Sequence, residues 1–184
     1  KRLPDAVAAG DAVHAVVRGV GTSSDGKSPS VMEPRREGQV LAMRRAAARC
    51  GVPAGTVQYI DAHATGTPVG DAVEFASLCE AVGPRLAGRP PIRLGSLKAL
   101  LGHTGWAAGA ASVIALCKAL EHRRFPPQPN FSAPNPHFGI ERSPFTIGTR
   151  PEPWPANADG LPRRAGVNGF GFGGCDAHLI LEEY

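Results

Sequence analysis

The run YIDAHATGTPVGDAVEFASLCEAVG, residues 59–83, decides the fold. It opens with the end of TVQYIDAH, a short apolar strand closed by a histidine, and passes through small residues into a helix expected over Val69 to Val82. Val73, Ala76, Leu78, Cys79 and Val82 form its expected buried face, and Gly83-Pro84 is its stop. Strand, turn and helix in that order form the half-unit of a layered α/β sheet, and chemistry in such sheets sits where a strand hands over to a helix.

The same layout recurs at GSLKALLGHTGWAAG, residues 95–109. IRLGSLK reads as a strand, and His103 stands just before a helix expected over Trp106 to Leu120. Ala and Gly occupy nearly every side of that helix, which suits close packing on several neighbours. Upstream, Lys1 to Gly10 reads as a polar connection opening in mid-pattern, and AVHAVVRGVG as a valine-rich strand. A loop over Thr22 to Pro34 leads to a helix over Glu37 to Arg49, with Val40, Leu41, Met43, Ala47 and Ala48 at helical spacing and Gly51 as its end. Downstream, the proline-dense FPPQPNFSAPNPHFG and then PEPWPANADG read as surface loops. The tail RRAGVNGFGFGGCDAHLILEEY gives strand, glycine turn, strand. Residues 1–184 are expected to form one α/β unit without internal repeat or linker.

Composition excludes several classes. The net charge is +4, but Lys and Arg are scattered as short pairs without interleaved aromatics, so no nucleic-acid partner is expected. The most apolar stretch, Trp106 to Leu120, is interrupted by Lys118 and falls short of the roughly 20 residues that span a bilayer, so no membrane span is expected. Cys50, Cys79, Cys117 and Cys175 lie far apart with no CxxC pair and no signal peptide ahead of them, which points to a reducing cytoplasm.

Alone, His63 reads as a hydrogen-bonded structural histidine; with His103 at a second strand-to-helix junction, the two become the candidates for chemistry. Zinc is the rival use of paired histidines, but neither HxxxH spacing nor a completing carboxylate or cysteine accompanies them, so no metal is expected.

At these residues the chain resembles the β-ketoacyl synthases, a branch of the thiolase-like fold. The family pattern HGTGTxxGDxxE is matched by His63, Thr65, Gly66, Thr67, Gly70, Asp71 and Glu74. GSxKxxxGHxxxAAG is matched by Gly95, Ser96, Lys98, Gly102, His103 and Ala107 to Gly109, and GVNxFGFGGxNxH by Gly166 to Gly174 and His178. Two positions depart from the pattern. Ala64 stands where a glycine is usual, which is costly only at positive φ, and Asp176 stands where an asparagine is usual. VRGVGTSSDGK is similar to the iterative polyene, enediyne and polyunsaturated-fatty-acid synthases.

The resemblance implies the C-terminal half of a layered αβαβα fold and an acyltransferase of polyketide biosynthesis. Such an enzyme joins an acyl thioester to a malonyl-type extender by decarboxylative Claisen condensation. His63 and His103 are then paired N–H donors to the enolate, and Lys98 and Glu74 an ion pair beneath them, structural or tuning. Phe170 offers its backbone N–H to an acyl oxyanion hole and its ring as a gate, or is a core aromatic. Thr65 and Thr67 hold the phosphopantetheine arm, or cap the next helix. No cofactor is expected on this domain, because substrates arrive on the phosphopantetheine of an acyl carrier protein. The implied partners are that carrier protein, an N-terminal half supplying the nucleophilic cysteine, and a second copy in a homodimer. None of the four cysteines here has the nucleophile's context, so residues 1–184 alone are expected to be inactive and self-associating. The alternative is a non-catalytic partner subunit like the chain-length factors.

Overall fold

The central strands are buried along most of their length, RAGVNGFG almost throughout and HLILE with its apolar residues consecutive, so both faces of one sheet are covered. The computed structural model describes residues 1–27, 30–51, 54–84, 88–157 and 160–184. Within them run α1 (Leu3–Ala8), β1 (Val16–Ser24), α2 (Arg36–Cys50), β2 (Tyr59–Asp61), α3 (Pro68–Val82) and β3 (Ile92–Gly95). Then follow α4 (Lys98–Leu101), α5 (Ala108–Glu121), β4 (Arg124–Phe125), β5 (Phe145–Thr146), β6 (Glu152–Pro153), β7 (Arg164–Gly171) and β8 (Cys175–Glu182). Six strands make one sheet in the order β1-β8-β7-β2-β3-β5, while β4 and β6 pair separately. β7, β2, β3 and β5 are mutually parallel along the sheet, whereas β8 is antiparallel to both β7 and β1.

The period-two alternation of β2 sends Ile60 and Tyr59 to opposite faces. Ile60 joins Met43, Val57, Phe75, Leu78, Ile92 and Phe145 under α2 and α3. Tyr59 joins Leu116, Leu120, Trp154, Ala165, Val167 and Leu181 under α5. The result is helix, sheet, helix, with the parallel strands all ending at one edge. Truncating Leu78 or Leu116, each about 1% exposed, would remove about 2–5 kcal/mol.

α2 lies against β1 because neither backbone is held off by side chains. A Cβ on Gly21 would fall 1.9 Å from the Ala42 carbonyl oxygen, and one on Gly19 2.6 Å from that of Ala46. The helix therefore buries Gly38, Gln39, Val40, Ala42, Met43 and Ala46, leaving the expected Leu41 and Ala48 exposed. It ends at Gly51 in the left-handed conformation, as its spacing predicts.

Several connections differ from expectation. The polar opening contains the helix α1, started by Pro4 in its first turn and an Arg2–Asp5 ion pair, although it buries nothing. β1 continues to Ser24, into the expected loop, of which residues 28 and 29 lie outside the described residues. α5 starts at Ala108, after a 3-10 turn over Gly105–Ala107, and only Ser112, Leu116 and Leu120 are buried on it. Its other face, with Trp106, Ile114 and the neighbouring Leu100 and Leu101, is exposed. The loop over 151–160, of which 158 and 159 are not described, is anchored by Trp154. That indole is buried, stacks on Phe125 at 4.7 Å and donates from Nε1 to Gln58 Oε1 at 3.0 Å.

Candidate active site

The C-terminal ends of β2, β3 and β7 converge, with Asp61 in register with Gly95 on one side and Val167 on the other. His63 lies two residues beyond β2, His103 two beyond α4, and Phe170 near the end of β7. Folding brings these three together: the His63 and His103 rings lie 5.5 Å apart and perpendicular, and the Phe170 ring is 5.9 Å from that of His63.

Each imidazole has a defined state. Burial first, then the positive charge of Lys98 and the proximity of His103, push the His63 pKa down to about 4, so its ring is neutral at pH 7. His103 Nδ1 accepts from the Gly105 backbone N–H at 3.1 Å, which leaves the ring proton on Nε2 as a donor. The neutral His63 ring and the Nε2 donor of His103 thus lie side by side at the strand ends.

The His63 turn is held from below by Glu74. Its Oε1 accepts from the His63 N–H at 2.7 Å and its Oε2 from the Ala64 N–H at 2.7 Å. Oε1 also accepts from Asn168 Nδ2 at 2.8 Å, and Asn168 Oδ1 lies 2.6 Å from His178 Nδ1. Because the Asn168 amide donates to Glu74, its oxygen faces His178, whose Nδ1 carries the proton. Burial holds the His178 pKa down to about 4. Burial also raises the Glu74 pKa, against which the Ala64, Asn168 and His63 donors and the charge of Lys98 act.

The expected direct ion pair between Lys98 and Glu74 is not formed among the described residues. Main-chain N–H groups and Asn168 occupy the Glu74 oxygens instead, and Lys98 acts on Glu74 through space. Desolvation lowers the Lys98 pKa, and the charge that opposes this most is Asp61, ahead of Glu74. Asp61 is itself buried, accepts from the Leu97 N–H at 2.9 Å, and has its pKa raised by desolvation.

Phe170 lies as its core-aromatic alternative expects. It sits inside strand β7, in register with Asp176, and is only 9% exposed. A ring so placed packs against that of His63. Phe172, in the glycine turn between β7 and β8, is 75% exposed and flanked by Gly171 and Gly173, the latter at φ +84°.

Thr67 is the N-cap of α3, its Oγ1 accepting from the Gly70 N–H at 3.2 Å. Its hydroxyl can also donate. Thr65 Oγ1 lies 3.4 Å from it, and both side chains face solvent. Asp71 Oδ1 closes the turn by accepting from the Gly66 N–H at 3.1 Å. Ala64 has φ +29°, in the region where a Cβ is penalised. Of the cysteines, Cys175 is exposed and Cys50, Cys79 and Cys117 are half-buried, the last two with thiol pKa values raised by burial.

Sequence reasoning missed the contacts of Asp61, Asn168 and His178 around Lys98 and Glu74, and the exposure of Phe172. Asn168 and His178 are register partners across the β7–β8 hairpin, a signal available once the glycine turn fixes the pairing.

The layering and the strand-end histidines place the chain in the thiolase-like α/β class, of which it forms the C-terminal portion. Within that class it belongs to the β-ketoacyl synthases: residues 14–132 match the family described as Beta-ketoacyl synthase, C-terminal domain. The chain is 42% identical over 182 residues to a highly reducing polyketide synthase of Emericella nidulans, covering 99% of itself and 7% of that protein. It is 39% identical over 183 residues to 5-methyl-1-naphthoate synthase of Streptomyces sahachiroi, covering 100% of itself and 10% of the relative. The ketosynthase from module 6 of the bacillaene synthase of Bacillus subtilis matches its fold with a TM-score of 0.93 and 36% identity, over 100% of this chain and 34% of that one. An oxazolomycin ketosynthase domain of Streptomyces albus matches with a TM-score of 0.93 and 34% identity, over 100% of this chain and 32% of that one. The chain therefore spans about a third of the solved ketosynthases and a tenth or less of the curated relatives.

Proposed function

We propose that this chain supplies the decarboxylation and condensation half of a polyketide ketosynthase site, completed by an N-terminal half that carries the cysteine nucleophile. The observation that carries the reading is the perpendicular His63–His103 pair, with the His103 Nδ1 tied to the Gly105 N–H so that Nε2 is left as its donor. In the first step the C–C bond to the malonyl carboxylate breaks and CO2 leaves. The electron pair moves onto the thioester oxygen, where one N–H from each imidazole stabilises the charge. The enolate carbon then attacks the acyl thioester, its C–S bond breaks, and the cysteine leaves as thiolate. Neutral imidazoles suit this sequence because they bind developing oxyanion charge without gripping the starting carboxylate as a cation would.

In this reading Glu74 and Lys98 are positioning and electrostatic groups, Lys98 acting with Asp61. Thr65 and Thr67 border the path of the phosphopantetheine arm, and the exposure of both hydroxyls beside the α3 N-terminus supports that role. Phe172, not Phe170, is the gating ring, while Phe170 braces His63. The N-terminal half covers the exposed Trp106, Ile114, Leu100 and Leu101 face. The partners are an acyl carrier protein and a second copy of the completed domain, working in the cytoplasm. A partner subunit without chemistry of its own would not need His63, Lys98 and His103 held together, which favours the enzyme. Supplied with an acylated cysteine and a malonyl carrier protein, the whole ketosynthase should release CO2 and β-ketoacyl carrier protein in equal amounts. No CO2 from the malonyl carrier would overturn the proposal.

A further inference from the structure

Asp25, just past β1, and Asp176, the second residue of β8, are both buried, 8% and 4% exposed. A Cβ added to Gly38 on α2 would fall 2.1 Å from Asp25 Oδ1 and 2.4 Å from Asp176 Oδ2, so the two carboxyl groups converge on one spot. Donors there are scarce. Asp25 Oδ2 accepts from the Arg35 N–H at 3.1 Å, but Asp25 Oδ1 has no donor among the described residues. The Ser23 hydroxyl stands 3.5 Å from Asp176 Oδ2, yet its proton is committed to the Gly38 carbonyl at 2.6 Å. The Arg35 guanidinium is committed as well, to the carbonyls of Asp25 and Lys27 at 3.2 and 3.1 Å and toward Glu37 at 3.5 Å. On β8, Cys175 faces solvent, and the His178 ring is engaged with Asn168. On β7, the register partner of Asp176 is the apolar Phe170.

Two carboxylates in contact cannot both ionise without a cation between them. Asp25 already takes a main-chain donor at the start of the 15-residue helix α2. Asp176 is the better placed to keep a proton. Desolvation, then the charge of Asp25 and the hydrogen bond to it, push the Asp176 pKa up to about 7.

The pair also touches the glycine turn. The Asp25 N–H donates to the Gly174 carbonyl at 2.9 Å, and a Cβ on Gly174 would fall 2.6 Å from the Asp25 Cβ. Gly173, next in the turn, donates to the Val31 carbonyl at 3.0 Å.

We propose that Asp25 and Asp176 share one proton across their carboxyl groups, and that this shared proton fixes the Gly171–Gly174 turn that presents Phe172 to the site. Loss of the proton sets two charges against each other beneath the turn and loosens it. The pair is a positioning device, and the functional part of the claim rests on Phe172 gating acyl entry. An asparagine at position 176 would supply the same hydrogen bond to Asp25 from its amide with no proton to lose.

The test uses the complete ketosynthase, comparing wild type with Asp176→Asn and, as a second variant, Asp25→Asn. Infrared difference spectra of wild type minus each variant should show a protonated carboxyl band near pH 6 that bleaches as pH rises through about 7. Subtraction removes the bands of Asp61 and Glu74. The rate of cysteine acylation in wild type, divided by that of Asp176→Asn, should be near one at pH 6 and about tenfold lower at pH 8, since each pH unit beyond the pKa removes about tenfold of the protonated form. Because the ratio is taken at each pH, titration of the nucleophile cancels. A missing band in the difference spectra, or a ratio flat with pH, overturns the proposal. The gating reading is tested apart, by Phe172→Ala: unchanged acyl selection there would end that reading, while the infrared band would stand or fall by itself.

Discussion

Glu74 grips the main chain of His63 rather than its ring, accepting the His63 N–H at 2.7 Å on one oxygen while the other takes the N–H of Ala64. A carboxylate on α3 thereby fixes the main-chain turn that carries an imidazole beyond the end of β2. The Asn168–His178 pair on the hairpin holds that carboxylate from the other side.

Glu74→Gln should expose this role. A glutamine amide has one acceptor oxygen and would turn a donor toward an N–H, leaving at least one buried group unpaired. The expected loss is about 1–3 kcal/mol in denaturant unfolding of the complete ketosynthase. Condensation should slow more than cysteine loading does. Equal slowing of both steps would mean that Glu74 stabilises the domain without orienting His63.

Ala64→Gly should do the opposite. At φ +29° the alanine Cβ is strained, and glycine relieves this at some entropic cost in the unfolded chain. A gain of up to about 1 kcal/mol is expected, with chemistry retained. Destabilisation in the same unfolding experiment would show that the methyl group packs usefully.

Phe170 and Phe172 should separate cleanly. Removing the largely buried Phe170 ring should cost several kcal/mol, about 3–5 at the upper end for a core aromatic, and weaken condensation by freeing His63. Removing the exposed Phe172 ring should shift stability by about 0.5 kcal/mol or less while changing which acyl lengths load. Thermal melts and acyl-loading profiles of the two alanine variants check this, and a swapped pattern would restore Phe170 as the gate.

Acid should weaken the fold through its buried histidines. The pKa values of His63 and His178 are held down to about 4, from an ordinary 6.5. As pH falls below about 6.5 the unfolded chain takes up protons that the folded chain refuses, so these groups stabilise above that pH and their contribution is lost as pH falls toward 4. Glu74, Asp61 and Asp176, whose pKa values are raised, act in the opposite sense. The melting temperature of His178→Gln relative to wild type isolates one histidine. The gap between them should move in the variant's favour on acidification, and parallel curves would contradict the assignment.

Periodicity made the main elements legible. The helices ending at Gly51 and Gly83 and the hairpin around FGFGG follow from spacing and glycine placement. The short strands β2 and β3 were legible from their apolar runs, but α1, α4, β5 and β6 were not, because so few residues carry no periodicity and tertiary contacts decide them. In the site, His63 and His103 announced themselves as histidines at strand-to-helix junctions. Asp61 did not, since a single acidic residue ending an apolar strand does not reveal that Lys98 lies across the edge from it. The choice between Phe170 and Phe172 turned on where the strand ends and the turn begins, and helix and strand boundaries are the least legible feature of a sequence.

The most direct test of the account is to follow CO2 release from a malonyl carrier protein in the complete ketosynthase carrying His63→Ala or His103→Ala, alongside acyl loading of its cysteine. Removing one donor to a developing oxyanion costs about 100- to 1,000-fold. Each variant should lose decarboxylation by about that factor while still accepting an acyl group. Near-normal CO2 release from either variant would contradict the claim that the His63–His103 pair holds the enolate.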